Sequence, residues 1–294
     1  MKYFITLLFT LLSGLQSCEA QSVKTYPVNK NENSLLWEIS GKGNQPSYLF
    51  GTFHLMCKED IKLSNSLKNI IKDADEVYFE IDMDDMAAQL GAMMFMKMKN
   101  DTSLSDLYTP EQFTRIESYF KDSLGMPISF LKNMKPLLLQ ALLYPKMMTC
   151  KTMSGMEEAL VQVAKENKKE ILGLETVAFQ ASIFDSIPYR EQASELLKML
   201  DSMSTMRGTF DTMLTIYKSQ NIQAIDQFTA DEFSTGNSRE ILLDNRNKNW
   251  VKMLPDLMNK KRLFVAVGAG HLGGKNGVIA LLRKEGYTLK PIQN

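Results

Sequence analysis

Several of the side chains that most often carry chemistry are scarce in this chain of 294 residues. It has two histidines, His54 and His271, three cysteines, Cys18, Cys57 and Cys150, and two tryptophans. It also lacks an excess of either charge, since Lys+Arg and Asp+Glu both number 34. No global field therefore draws it to nucleic acid or to an anionic membrane. There is no Gly-x-Ser-x-Gly elbow, which excludes serine hydrolases built on that turn, and no Gly-x-x-x-x-Gly-Lys-Ser/Thr loop or strand-borne Gly-x-Gly-x-x-Gly to cradle phosphates. The nearest approach, Gly268-Ala269-Gly270 with Gly273, is followed at once by a bulky His271, and Lys290 stands near where a ribose-binding acid would be expected. The apolar run from Tyr3 to Leu12 is too short to span a membrane.

What that run does suit, with Lys2 before it and small polar residues after it, is an export signal. Two endings compete. Cys18-Glu19-Ala20 before Gln21 resembles a signal-peptidase site, whereas Leu15-Gln16-Ser17-Cys18 resembles a lipobox that would place a lipid anchor on Cys18, with Gln16 an unusual residue in its second position. Either ending predicts an exported protein, periplasmic, attached to the outer membrane or cell surface, or secreted. Residues 1–20 are thus read as signal (or 1–17 as a lipoprotein signal), 21–33 as a polar flexible leader, and 34–294 as a single domain.

Two stretches organise the rest. Phe264-Val265-Ala266-Val267 is an apolar run suited to a strand buried on both faces, and it stops at Gly268-Ala269-Gly270-His271. Tyr48-Leu49-Phe50 repeats the device and ends in Gly51-Thr52-Phe53-His54. Both histidines of the chain therefore stand just past the carboxyl end of an apolar strand, three residues after a glycine. Between them, Leu35–Ile39 and Ser47–Gly51 flank a Gly-rich turn and predict a hairpin, and Val77–Ile81 and Glu170–Glu175 read as further strands. Helical spacing dominates from Met86 to Lys168 and again from Ala193 to Met258, with capping boxes at Thr109/Gln112 and Ser154/Glu157. A last helix begins after Gly273-Gly274, Gly286 ends it, and Tyr287–Ile292 closes the pattern as a strand. The expected fold is mixed α/β: a central mixed sheet with helices packed on it and a large helical insertion. The 20 methionines, gathered largely at helical spacing, read as core filler before a substrate groove or a copper site.

Sites in open α/β sheets form beyond the carboxyl ends of strands. A lone histidine is most often a hydrogen-bonded core or loop residue, but the matched contexts of His54 and His271 point to a shared site. Two imidazoles and a carboxylate are ordinary ligands for a divalent transition metal such as Mn, Co or Zn, and they leave positions for water and substrate. Such a metal lowers the pKa of a bound water and polarises a carbonyl, which permits hydrolysis near neutral pH. Glu80, a charge that interrupts an apolar strand, is the first candidate for third ligand or general base. Glu175 and Arg246 follow, with Arg246 able to hold an oxyanion or a substrate carboxylate. Cys57 could be a nucleophile or a ligand, yet export leaves it and Cys150 as the pair available for a disulfide, unless both are buried apolar filler. Asp82, Asp84 and Asp85 lack the glycine and terminal glutamate of an EF-hand loop and suit a solvated helix start better than a calcium site.

Leu36-Trp37-Glu38-Ile39, Phe50-Gly51-Thr52-Phe53-His54-Leu55, Glu80, Gly173-Leu174-Glu175-Thr176, Arg246-Asn247 and Val267-Gly268-Ala269-Gly270-His271-Leu272 with Gly277 resemble, in this order, the TraB/GumN family, which includes the TIKI proteins. The resemblance covers nearly the whole mature chain. It implies a mixed α/β fold shared with erythromycin-esterase-like and ChaN-like proteins, and a site formed by two Gly-x-x-His motifs and a glutamate. Carried over, that site falls on His54, Glu80 and His271, with Arg246 and Glu175 as weaker matches. TIKI members are metal-dependent proteases acting on an extracellular signalling protein, and TraB members shut down a peptide pheromone. The expectation is therefore an exported divalent-metal hydrolase of a peptide or other amide. The alternative is a non-catalytic binder of a peptide, or of haem or iron, on the same fold.

Overall fold

The hairpin expected at the start is present in the computed structural model, which describes residues 32–233 and 237–294. The export signal, Cys18 and all but the last two residues of the leader lie outside the described residues. Strands β1 (Leu36–Ser40) and β2 (Ser47–Thr52) pair antiparallel, with Leu36 opposite Phe50 and Ile39 opposite Ser47. Gly41 and Gly43 take the turn at φ 122° and 77°, a region that glycine enters without strain. The two-residue β3 (Met56–Cys57) follows His54, and then come α1 (Asn65–Asp73), capped by Ser64, and β4 (Glu76–Ile81).

The helical middle contains α2 (Met86–Phe95), α3 (Pro110–Leu124), α4 (Pro136–Ala141), the short β5 (Met153–Ser154), α5 (Met156–Glu166), β6 (Glu170–Glu175), α6 (Val177–Phe184), α7 (Tyr189–Asp201), α8 (Met203–Lys218) and α9 (Ile222–Glu232). The capping box at α3 forms as its sequence predicts, with Thr109 Oγ1 accepting from Gln112 N and Gln112 Oε1 accepting from Thr109 N. The one expected at Ser154/Glu157 does not. Ser154 is paired in β5, Gly155 is the N-cap of α5, and the Glu157 side chain turns inward. Asp82 Oδ1 accepts from the backbone N–H groups of Asp84 and Asp85, and Asp85 caps α2, so the acidic cluster is a helix start. The chain then passes through a π-helical turn, Glu240–Asp244, into α10 (Asn245–Met258), and ends with β7 (Leu263–Gly268), α11 (Val278–Lys284) and β8 (Thr288–Ile292).

Six strands form one mixed sheet in the order β6-β4-β7-β2-β1-β8. β6, β4, β7 and β2 run parallel, while β1 is antiparallel to both of its neighbours. Alternation along β7 divides the core between the two faces of the sheet. Phe264 and Ala266 join Phe50, Val77 and Phe79 against the helical middle. Leu263, Val265 and Val267 join Trp37, Leu49 and Tyr78 against Trp250, Leu254 and Leu282 of α10 and α11. Every residue of β7 is buried, as expected of a parallel strand covered on both sides. The mixed α/β architecture is the expected one. No helix among the described residues is long and apolar enough to cross a membrane.

A disulfide joins Cys57 to Cys150, with Cα atoms 5.7 Å apart, next to the two-stranded ribbon of β3 and β5. Lys58 N donates to Thr152 O at 3.0 Å and Met156 N to Phe53 O at 3.0 Å. The loop that carries His54 is therefore laced to the segment that begins α5.

Candidate active site

Register explains why the polar residues meet. Thr52 lies opposite Gly268 on the paired strands β2 and β7, and Ile81 lies opposite Glu175 on β4 and β6, so four parallel strands end along one edge of the sheet. His54 and His271 leave that edge on the turns that follow β2 and β7. The glycines of the two motifs serve each other. A Cβ on Gly51 would lie 2.6 Å from Leu272 Cδ1 and 3.2 Å from Ala269 Cα, atoms of the other motif's turn. A Cβ on Gly268 would lie 3.2 Å from Glu80 Oε1, 3.4 Å from His54 Nε2 and 3.6 Å from His271 Cδ2. Each missing side chain is the room in which the opposite motif sits. His54, Glu80 and His271, expected from the sequence to share a site, face one small space above Gly268.

Both imidazoles are held from behind. His271 Nδ1 is 2.6 Å from Asn247 Oδ1, and Asn247 Nδ2 donates to Asn276 O, which fixes the orientation of the amide. His271 therefore carries its proton on Nδ1 and turns the Nε2 lone pair inward, where Arg246 Nη1 lies 3.2 Å away. His54 Nδ1 is 2.6 Å from Glu157 Oε1, both side chains being buried, and Nε2 is again the inward atom. Such a carboxylate or amide on the far nitrogen is how metal-binding imidazoles are oriented. Burial pulls the His54 pKa down, but the charge and hydrogen bond of Glu157, and then Glu80, carry it above the ordinary value. His271 goes the other way. Burial lowers it to about 3 against the pull of Glu80, and Arg246 and His54 add to the lowering.

Glu80 and Glu175 meet Arg246 from two strand ends. Arg246 Nη2 donates to Glu80 Oε2 at 2.5 Å and to Glu175 Oε2 at 2.8 Å, Nε donates to Glu175, and Nη1 reaches Leu242 O and His271. All five N–H groups of the guanidinium are committed, so in this arrangement it has no donor left for an oxyanion. Burial opposes its charge, yet Glu80 and Glu175 outweigh burial and keep it ionised. Glu80 Oε1 also accepts from Gly268 N at 2.7 Å, and Gln180 reaches Oε2 at 3.3 Å. Burial alone would lift the Glu80 carboxyl, but Arg246, His271 and His54, in that order, and the Gly268 N–H hold it well below the usual carboxylate range. A carboxylate held that low is a weak proton acceptor and a durable anion.

Helix α10 supplies Arg246 and Asn247 on consecutive residues and Trp250 one turn later, all buried. The Trp250 ring lies 4.5 Å from the His271 ring and 4.8 Å from the guanidinium carbon of Arg246. Leu242, in the π-helical turn ahead of it, accepts from Arg246 Nη1 through its backbone oxygen, and π-helical turns are frequent at functional sites.

Above these groups opens a cavity of about 130 Å³ that is open to solvent. Leu137, Leu138, Phe184, Phe228 and Leu242 make it apolar, while His54, Arg246, Gly268 and His271 form its polar end. Thr52 Oγ1 in its wall is buried without a hydrogen-bond partner among the described residues.

The donor set fits a divalent metal in kind. Two inward Nε2 atoms and the Glu80 carboxylate face a space that a Cβ would fill. His54, Glu80 and His271 are not among the clusters whose donor atoms all lie within 4.8 Å of one another, so these three would have to close inward to hold a shared ion. His271 is the most encumbered of them because of its Arg246 contact. Cys57, Glu59 and Cys150 also cluster, but the sulfurs are bonded to each other and offer no thiolate, so Cys57 is neither ligand nor nucleophile in this state.

Glu157 was legible only as a helix cap, and its role behind His54 comes from packing. The chain matches the TraB/PrgY/gumN family over residues 35–291 and belongs to it. Similar proteins include metalloprotease TIKI1 of Danio rerio, 23% identical over an alignment taking in 92% of this chain and 66% of that protein. The metalloprotease TIKI homolog of Nematostella vectensis is 21% identical over 99% of this chain and 75% of its own length. YbaP of Shigella flexneri, an uncharacterized protein, is 25% identical over 89% of this chain and 98% of its own. The chain thus spans about two thirds of the TIKI1 protein it matches. No solved structure matches it.

Proposed function

We propose that this protein is an exported, divalent-metal-dependent hydrolase of peptide or other amide bonds. The observation that carries the reading is the convergence of His54 Nε2, Glu80 Oε1 and the His271 ring over Gly268, at the polar end of an apolar cavity. The relatives named metalloproteases support the reaction class, and the Cys57–Cys150 disulfide suits an oxidising compartment.

His54, His271 and Glu80 would hold the metal. When bound, it supplies Lewis acidity and a water acidified toward neutral pH. Asn247 keeps the His271 proton on Nδ1, so that Nε2 can bind without first losing one. Glu157 keeps a proton on His54 Nδ1 and leaves Nε2 to the site. Glu80, pinned as an anion by Arg246 and Gly268 N–H, acts as ligand and not as proton acceptor. Arg246 is a positioning residue that sets the spacing of Glu80 and Glu175. The apolar walls bind substrate side chains and exclude water, which strengthens each of these charge interactions.

Turnover of a peptide library by the exported protein tests this. Cleavage that chelation abolishes and Mn²⁺ or Co²⁺ restores is the expected result. A metal-loaded protein that binds peptides without cleaving any is instead a binder.

A further inference from the structure

The cavity has one acid that the Arg246 network does not use. Helix α9 presents Ile225, Phe228, Thr229 and Glu232 to it, at the i, i+3, i+4 and i+7 spacing of a single helix face. Leu137, Leu138, Phe184 and Phe233 share that wall. Glu232 has no ion-pair partner among the described residues, and Arg246, the one Lys or Arg among the described lining residues, already has its N–H groups committed to its own partners. A carboxylate in an apolar wall without a counter-charge is unfavourable, so the acid either keeps its proton or takes a cationic partner supplied from outside. Its place relative to the chemistry is fixed by the helix. Thr229 Oγ1 lies 3.7 Å from where a Cβ on Gly270 would be, beside His271. Glu232 stands about one turn further along, roughly 5 Å of helix rise, which is one or two residues of extended peptide.

We propose that Glu232 is the receptor for a positively charged group, an α-amine or a Lys or Arg side chain, on an otherwise apolar peptide whose reacting bond lies over Gly268. The pairing of apolar walls with a single acid lacking a counter-charge selects for such a ligand, because a cation compensates the ionised carboxylate, an apolar peptide without one can bind only against the protonated form, and an acidic peptide is repelled. The peptide class and the position of its reacting bond rest on the hydrolase reading; the charge preference does not.

Peptides of leucine and alanine carrying one lysine or one norleucine, moved a position at a time and made with free or acetylated amino termini, provide the test. Binding is read by fluorescence anisotropy and cleavage by mass spectrometry with Mn²⁺ present. Wild type is expected to bind one lysine register, or the free-amine series, at least tenfold more tightly than its uncharged counterpart. Glu232→Gln reduces that ratio below about threefold while norleucine peptides bind as before, and Glu232→Lys shifts the preference to a glutamate at that register. The proposal is overturned if wild type binds no peptide, if it shows no preference for the cation, or if Glu232→Gln keeps the preference. It is equally overturned if Glu232→Gln slows lysine and norleucine peptides alike without changing binding, which would make Glu232 a proton carrier. A cation preference that depends on Glu232, found without any cleavage, supports the proposal and contradicts the hydrolase reading.

Discussion

Two acids with different surroundings, buried Glu157 and half-buried Glu232, give the residue-scale predictions. Glu157 touches His54 at 2.6 Å, and its Oε2 has no hydrogen-bond partner among the described residues, so orienting the imidazole is the interaction it makes. Glu157→Gln should lower metal affinity or kcat/KM by about 10- to 100-fold, the usual effect of removing an orienting carboxylate. Metal titration alongside kinetics checks this, and unchanged values for both would remove Glu157 from the site. Glu232 makes a stability prediction. Burial, with Asp231 beside it, pushes its carboxyl up to about 7 from 4.5. The folded chain then holds this proton more tightly than the unfolded chain, so stability falls as pH rises from about 4.5 to 7. Glu232→Gln should match wild type near pH 4 and exceed it above pH 7, by an amount on the order of 1–3 kcal/mol. Urea midpoints at several pH values decide, and a gap that does not grow with pH counts against the placement of Glu232. Among single residues, His54, His271 and Glu80 were legible because strand patterns announce where a strand ends and what stands there. Glu157 was hidden, since Ser154 and Glu157 have the spacing of a local cap and only a contact distant in sequence shows which use prevails.

Elements carry the reciprocal fit of the two turns. Gly51→Ala would drive a methyl onto Ala269 backbone and Leu272, and overpacking of that kind costs about 1–3 kcal/mol. Gly268→Ala meets atoms no closer than 3.2 Å, so it should fold with a smaller penalty, yet its methyl stands where the donors converge. We expect kcat/KM to fall by about 100-fold in Gly268→Ala, whereas the loss in Gly51→Ala follows its stability. Wild-type turnover in Gly268→Ala would show that the space above that residue is not used. The disulfide is a third element-scale feature. Across a separation of 93 residues the chain-entropy account allows roughly 4–5 kcal/mol as an upper figure. Cys57→Ser is expected to lose about half of that and to weaken the His54–Glu157 pairing with it, and two free thiols in the unfolded protein, isolated without reductant, would refute the bridge. Helices and strands with full patterns, such as α3 with its capping box or the all-apolar β7, were readable from spacing. The two-residue strands β3 and β5 were not, because a ribbon that short has no periodicity and owes its existence to the disulfide and the backbone bonds beside it.

At the scale of the molecule, a mixed sheet brings four parallel strand ends together and so gathers residues from Thr52 to His271 at one edge. The order of apolar runs made the sheet foreseeable, and the carboxyl-edge rule made the position of His54 and His271 at that edge foreseeable with it. The cavity was not foreseeable, because its walls come from α4, α6, α8, α9 and the π-helical turn, whose sequences show only that they have an apolar face. Family membership and the named metalloproteases make metal-assisted hydrolysis the reading to test first. The most direct measurement is anomalous scattering from a crystal of the protein soaked in Mn²⁺. A single strong peak above Gly268, within about 2.0–2.3 Å of His54 Nε2, His271 Nε2 and Glu80 Oε1, is the predicted result. A crystal saturated with Mn²⁺ that shows no peak there, with Arg246 still seated on His271 and Glu80, would contradict the account.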